Sequence, residues 1–503
     1  MKPNSYAEDC YGNFLVTVKG IRKPAGSQEA LADQLYVELE VSLGYGSPKR
    51  VNFLFSDLEK LDLEKKIPGL FYCSAAAKKA FRQTLREDIA LLWSTPALPV
   101  YYPSTGLFPE PQPAFAAGSH VMTTNGESNA PVLLDHTLHL APSAADISMF
   151  LDSLEQDLSH RIPAFAYTLS SHLRSFWKQA GIETSGVLYL VGPQGYGKTT
   201  LAENFCTLYD CGTSIADRYD ALSTPSALRH ALADARDRVV LFDDVCRSDN
   251  KQTERRRLDT ALDLLRLAAN GSPITKKSGA STVSLSCCAG LVITGEFLAS
   301  APSELTRCIV LNIDKPYSGG TAHDRALASH ALSEYLIWLV SHLSEEQARA
   351  RNFLAKCLAS DRMEKNYLLL SFAFDSFLRA IEPSASSQRI QTMSESADRI
   401  LKSCLENQKI YLAQLQKQQN PFVEPLKEYI RYGIQSHLLQ PKFHDGVPCL
   451  TTTELVQFLR RFDPHLQVKT MTALLRNEHL LIMDTSNKSS KKLKGHRYLH
   501  LNI

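Results

Sequence analysis

The sequence predicts an α/β protein centred on a largely parallel sheet, with an α+β region before it and helices and a helix–hairpin region after it. Three observations lead to this class. Residues 187–205, VLYLVGPQGYGKTTLAENF, read as strand, glycine-rich loop and helix. Residues 239–244, VVLFDD, form an apolar run ending in two acids, as expected of a strand buried on both faces. Residues 289–293 and 308–313 repeat the apolar pattern, and helical periodicities separate these runs.

Bulk properties narrow the functional classes. A chain of 503 residues exceeds one ordinary core and predicts two to four domains. Its 55 Lys and Arg nearly balance 53 Asp and Glu, so any nucleic-acid surface must be local. No run of about 18 apolar residues and no signal-peptide pattern is present, which predicts a cytoplasmic protein that does not enter a membrane. The 11 cysteines include no CxxC pair, and several lie in apolar surroundings, so buried reduced thiols are expected.

In chain order, residues 1–140 read as an α+β domain. Its β-prone segments are 14–18, 35–41 and 51–55, and a helix is expected over Ala75–Trp93. From 94 to 131 the Pro, Gly, Ser and Asn content rises, which predicts an irregular connection rather than core. Helices at 144–158 and 163–180 lead into the central region, with Gly181 as a stop.

The loop that follows is built to hold phosphate. Wrapping a polyphosphate requires inward-facing backbone N–H groups, hence glycine where a side chain would block approach or where φ must be positive. Gly192, Gly195 and Gly197 supply these positions within Gly192-Pro193-Gln194-Gly195-Tyr196-Gly197-Lys198-Thr199-Thr200. The helix beginning at Lys198 aims the positive end of its dipole at the phosphates, Lys198 reaches the β and γ oxygens of ATP, and the Thr199 hydroxyl suits Mg²⁺. At the carboxyl end of the acidic strand, where ligands sit in such sheets, Asp243 is assigned to the metal and Asp244 to activation of water.

Residues 253–269 then carry a helical apolar stripe. Two short β segments around a Ser-Gly turn predict a hairpin bearing Lys276 and Lys277 near its tip. The next strand ends at Thr294, and Glu304-Leu305-Thr306-Arg307 precedes the last strand.

The ordered set of phosphate loop, DD strand, N-G-x-P-x-x-x-K segment, strand ending in a polar residue and E-L-x-R resembles superfamily 3 helicases. These are AAA+-like P-loop ring ATPases of viruses, plasmids and mobile elements. LAANGSPITKK and LVITGEF are also similar to ATPases of phages and integrative elements. The resemblance spans about residues 185–315. It implies that Lys276 or Lys277 touches the DNA backbone in a ring channel, and that Arg307 acts as an arginine finger on a neighbouring subunit's nucleotide. Thr294 falls where those helicases usually carry Asn beside the γ-phosphate, a departure from their pattern. The ring, a hexamer by resemblance, would be a homo-oligomer closed head to tail.

Residues 141–315 are thus the expected ATPase domain with its leading helices, and 316–420 read as a helical lid or bundle. Residues 421–503, ordered helix, helix, helix, hairpin, resemble a winged helix domain. The predicted hairpin pairs 479–483 with 498–503, with the wing between them. The wing carries Lys488, Lys491, Lys492, Lys494 and Arg497 without an acid, and Lys469 and Arg476 lie on the third helix.

The leading reading is an ATP- and Mg²⁺-dependent, ring-forming DNA motor, a replicative helicase of a mobile genetic element acting on single-stranded or forked DNA. One alternative is a P-loop ATPase that remodels a protein partner or regulates a mobile-element or defence complex. The other is a nucleotide-gated DNA-binding regulator.

Overall fold

The computed structural model describes residues 15–25, 34–42, 47–67, 75–93, 98–108, 112–117, 120–128, 130, 132, 136–138, 143–184, 186–220, 223–246, 250–271, 273–278, 281–298, 302–317, 321–419, 425–444, 446–463, 466–482, 490–493 and 496–502. They divide into two compact units, Met1–Glu406 and Asn407–Ile503.

The first unit opens on a small sheet. Strands Leu15–Pro24, Tyr36–Ser42 and Lys49–Leu54 pair antiparallel, and Val100–Tyr101 adds in parallel to the first. Helix Ala75–Trp93 has the predicted bounds, and its Phe81, Leu85 and Ile89 join Val37 and Leu39 in a separate core.

The expectation of an irregular connection over residues 94–131 does not hold. Strands Gly106–Phe108, Ala114–Ala117, His120–Thr123 and Gly126–Ser128 form an antiparallel meander. Leu107, Phe115, Ala117 and Met122 enter the main core. The strands are three or four residues long, too short to show a period, so only their turn-forming residues were conspicuous in sequence.

A buried carboxyl joins this meander to the central sheet. Asp237 accepts from Leu107 N–H at 3.1 Å and Ser175 N–H at 2.7 Å, and Arg236 Nη2 donates to Leu107 O at 3.0 Å. Gly106, at φ +118°, leaves room for this: a Cβ there would stand 2.4 Å from Asp237 Oδ2.

The central sheet has five strands, all parallel, ordered Arg218–Tyr219, Val239–Val245, Gly290–Gly295, Val187–Val191, Cys308–Asn312. The acidic strand and the phosphate-loop strand are not neighbours; the Thr294 strand lies between them. Helices Ala144–Gln156, Leu158–His172, Ala322–Ser341 and Arg362–Ile381 share one core with the sheet, including Phe150, Phe165, Leu188, Leu332 and Phe377. Leu343–Ala359 and Ser387–Gln419 complete the predicted helical run.

In the second unit, helices Leu426–Gln435, Thr452–Leu459 and Val468–Asn477 enclose Ile430, Leu455, Leu459 and Leu475. The sheet differs from expectation. Its order is Lys442–His444, Val447–Thr451, His496–His500, Ser490–Leu493; of the predicted pairing of 479–483 with 498–503, the antiparallel bridge Leu481↔Leu501 is present, flanked by Ile482 N–H donating to His500 O at 2.9 Å and Asn502 N–H to Leu480 O at 3.0 Å. The Lys442–Thr451 hairpin was hidden by its Pro and Gly, and it pairs along the other edge of the last strand, with Leu501 N–H donating to Pro448 O at 3.0 Å. Thr451 caps the second helix in a reciprocal box with Glu454.

Candidate functional site

The phosphate loop leaves its strand at Val191 and enters helix Lys198–Phe205. Both reasons for glycine are present. Gly195 and Gly197 have φ of +78° and +77°, while a Cβ on Gly192 would stand 2.3 Å from Ile313 O. The loop is braced from outside by the chain after the last strand: Ile313 N–H donates to Val191 O at 2.7 Å and Tyr317 N–H to Tyr196 O at 3.1 Å.

Lys198 turns back over the loop, its Nζ donating to Gly192 O at 2.8 Å and Pro193 O at 2.7 Å. Burial pushes its ammonium below the ordinary lysine range, while Glu296, Asp244 and Asp243 pull the other way. The cation is thus held beside three carboxylates, over a loop that offers backbone N–H groups.

Asp243 collects the elements of the site. Its Oδ1 accepts from Thr199 Oγ1 at 2.7 Å and from Thr294 Oγ1 at 2.6 Å, so three separated sequence motifs meet on one oxygen. The residue is 7% exposed and Thr294 is 1% exposed. Thr294 also accepts from Asp244 N–H at 2.9 Å.

The two acids take different roles because the strand breaks register between Phe242 and Val245, and Asp244 adopts φ +71°. Such an irregularity re-aims a side chain next to a site. Asp243 remains buried beneath the phosphate loop while Asp244 is exposed, its Oδ2 accepting from Cys246 Sγ at 3.3 Å.

The donor set fits Mg²⁺ with a nucleotide. A hydroxyl and a carboxylate are hard oxygen ligands, and magnesium is commonly held by one or two carboxylates plus substrate phosphates. Thr199 and Asp243 would hold the ion, and the loop amides and Lys198 the phosphates.

Arg307 lies elsewhere. Its carbonyl accepts from Val187 N–H at 3.0 Å, at the start of the strand whose far end carries the phosphate loop. Four residue steps of strand, Val187 to Val191, separate the two ends, about 13 Å. Its Nη1 donates to Ser303 O at 2.6 Å. The Arg307 side chain is therefore not part of its own chain's phosphate site.

Lys276 and Lys277 sit on strand Pro273–Ser278, paired with Val283 and Thr282 of Ser281–Ser286, so the hairpin exists with both lysines close to its turn. Lys491 and Lys492 are on Ser490–Leu493, and Lys492 pairs with Arg497. Lys488 and Lys494 lie outside the described residues.

Sequence reasoning missed three members of the site. Glu296 follows the Thr294 strand and is the largest opposing charge on Lys198; an acid two residues beyond a polar strand end was the available signal. Arg218 donates to Asp243 Oδ2 at 3.1 Å and pairs with Glu203 of the phosphate-loop helix. No local pattern marks either of those two, because Arg218 lies on a strand of two residues, Glu203 on the phosphate-loop helix, and the contact between them is tertiary.

No family model and no curated protein matches the chain. A solved structure described as an active helicase, SCCmec type IV Cch, is similar in fold at 15% identity and a TM-score of 0.56, over 97% of this chain and 93% of that one. A JCV helicase structure aligns at 16% identity over 50% of this chain and 66% of that one, with a TM-score of 0.22. The first likeness shows a fold shared across nearly the whole chain; the second is too weak to carry an argument. Among the described residues, no helix is long and apolar enough to cross a membrane.

Proposed function

We propose that this chain is an ATP-hydrolysing DNA motor that acts as a homo-oligomeric ring, most simply a hexamer, in the manner of a replicative helicase of a mobile genetic element. The observation that carries the reading is the convergence of Thr199, Asp243 and Thr294 on one carboxylate oxygen directly below the phosphate loop. A lone phosphate-binding turn needs no such arrangement. A hydrolytic site does, because an ion, a nucleophilic water and a γ-phosphate must be fixed together.

In this reading the loop amides and Lys198 orient the phosphates, and Thr199 and Asp243 would hold Mg²⁺, which would supply neutralising charge to the phosphates. Asp244, exposed and turned outward by the strand irregularity, accepts a proton from the attacking water. Thr294 couples the two acids, holding Asp243 by its hydroxyl proton and the Asp244 amide by its oxygen. Arg307, at the opposite end of the sheet, supplies transition-state charge to the site of a neighbouring copy, so turnover depends on assembly. The Lys276/Lys277 hairpin moves along one DNA strand, and the carboxyl-terminal unit, read as a winged helix, adds Lys491, Lys492 and Arg497 to the phosphate contacts, with Lys488 and Lys494 alongside. The fold shared with an active helicase supports this reading.

Replacing Lys276 and Lys277 together with Ala tests what the motor moves. The proposal expects loss of unwinding and of DNA-stimulated turnover, with basal ATP hydrolysis retained. Unwinding at the normal rate would refute the DNA role and favour remodelling of a protein partner.

A further inference from the structure

Arg218 occupies an unusual place beside the Asp243 carboxylate. While Oδ1 takes the two threonine hydroxyls, Oδ2 accepts from Arg218 Nη2 at 3.1 Å, and Nη1 of the same guanidinium pairs with Glu203. Parallel pairing of Arg218 with Leu241 and of Tyr219 with Phe242 brings the edge strand alongside the acidic strand. Glu203 lies four residues after Thr199 on the phosphate-loop helix, on the same helical face. One guanidinium therefore links the two elements that a magnesium ion would link, and arginine cannot relinquish its charge by deprotonating.

We propose that Arg218 and Mg²⁺ compete for Asp243, with Glu203 as the second seat of the guanidinium, so that this pair sets the magnesium concentration at which the site accepts nucleotide. The inference rests on the reading of Asp243 as the metal carboxylate. A monovalent and a divalent cation on one carboxylate repel, and each must lower the other's occupancy. The arginine side chain is 47% exposed, so water and salt weaken the repulsion without abolishing it. Glu203 acts in the opposite sense: by holding the other half of the guanidinium it draws charge away from Asp243.

The two residues make opposite predictions, which separates competition from a structural role. Binding of a fluorescent, non-hydrolysable ATP analogue is followed as Mg²⁺ is titrated. Arg218→Gln should lower the magnesium midpoint by about three- to tenfold. Glu203→Gln, which leaves the guanidinium to Asp243 alone, should raise it. Two results would overturn the proposal: both variants shifting the midpoint in the same direction, or Arg218→Gln weakening binding at saturating Mg²⁺, which would make Arg218 a phosphate ligand. An unmoved midpoint in a folded Arg218→Gln protein would overturn it as well. Failure of the wild-type chain to bind the analogue at any Mg²⁺ concentration would instead reject the nucleotide reading itself.

Discussion

Replacing Thr294 with valine removes one hydroxyl while keeping the volume of a side chain that is 1% exposed. Two hydrogen bonds go with it, the 2.6 Å donation to Asp243 and the 2.9 Å acceptance from Asp244 N–H. A hydrogen bond to a charged group contributes about 1.5–3 kcal/mol, and a stranded amide costs about 1–3 kcal/mol. Asp243 keeps its Thr199 and Arg218 donors, and Asp244 is exposed enough for water to reach its amide. The loss of folding stability should therefore be near the low end of the combined range, about 2–3 kcal/mol. The effect on turnover should be larger. Without the hydroxyl the link between the Asp243 carboxylate and the Asp244 amide is lost and both acids can shift, and a misplacement of about 1 Å in a reacting group costs about 100-fold. Steady-state ATP hydrolysis at saturating ATP should fall about 100-fold while nucleotide affinity stays within about threefold, because Lys198 and the loop amides are untouched. Thr294→Ser, which keeps the hydroxyl, should retain most of the turnover. Equal turnover in the wild type and the valine variant would refute the assignment of Thr294 as the link between the acids.

Further outcomes follow from the same geometry. Gly192→Ala places a Cβ 2.3 Å from the Ile313 carbonyl oxygen, a backbone atom, so it should cost about 1–3 kcal/mol in chemical denaturation and displace the loop enough to weaken nucleotide binding. Burial lowers the His172 pKa to about 4; the Arg238 charge adds to the fall, and the Nδ1–H donated to Thr168 O at 2.7 Å opposes it. The unfolded chain takes up that proton at higher pH than the folded one, so this histidine lowers stability progressively as pH falls from about 6.5 toward 4, by up to about 3 kcal/mol. Comparing the pH dependence of denaturation midpoints of wild type and His172→Phe should show a smaller acid loss in the variant; parallel curves would contradict it. Thr451→Ala breaks the capping box with Glu454 and should destabilise the second unit by about 1 kcal/mol, read as earlier loss of hydrogen-exchange protection in helix Thr452–Leu459.

The parts of the site legible in sequence are those whose chemistry forces a local pattern. A phosphate loop must place glycines at fixed intervals, and a strand buried on both faces must be apolar until its ligand end, so Gly192–Lys198, Asp243 and Thr294 could each be found without a structure. What joins them could not. The strand irregularity that sends Asp244 outward leaves no mark beyond two consecutive acids, and Arg218 reaches Asp243 from a two-residue strand. The bracing of the loop by Ile313 and Tyr317 depends on where the chain goes after the last strand. In the fold, long helices such as Ala75–Trp93 and Arg362–Ile381 carry enough turns to show their period. The meander from Gly106 to Ser128 and the Lys442–Thr451 hairpin do not, because their strands are short and bounded by turn residues. Arg307 was readable only by motif order, and its backbone stands at the far end of the strand from its own phosphate loop.

The central claim, that this nucleotide site drives movement on DNA within an assembly, is tested most directly by ATP turnover of the purified chain with and without single-stranded DNA at low salt, with the molar mass measured on the same sample by light scattering. The account predicts turnover that rises several-fold with DNA, falls again as salt screens the contacts, and resides in an oligomeric fraction. Turnover indifferent to DNA, or carried by a monomer, would contradict it.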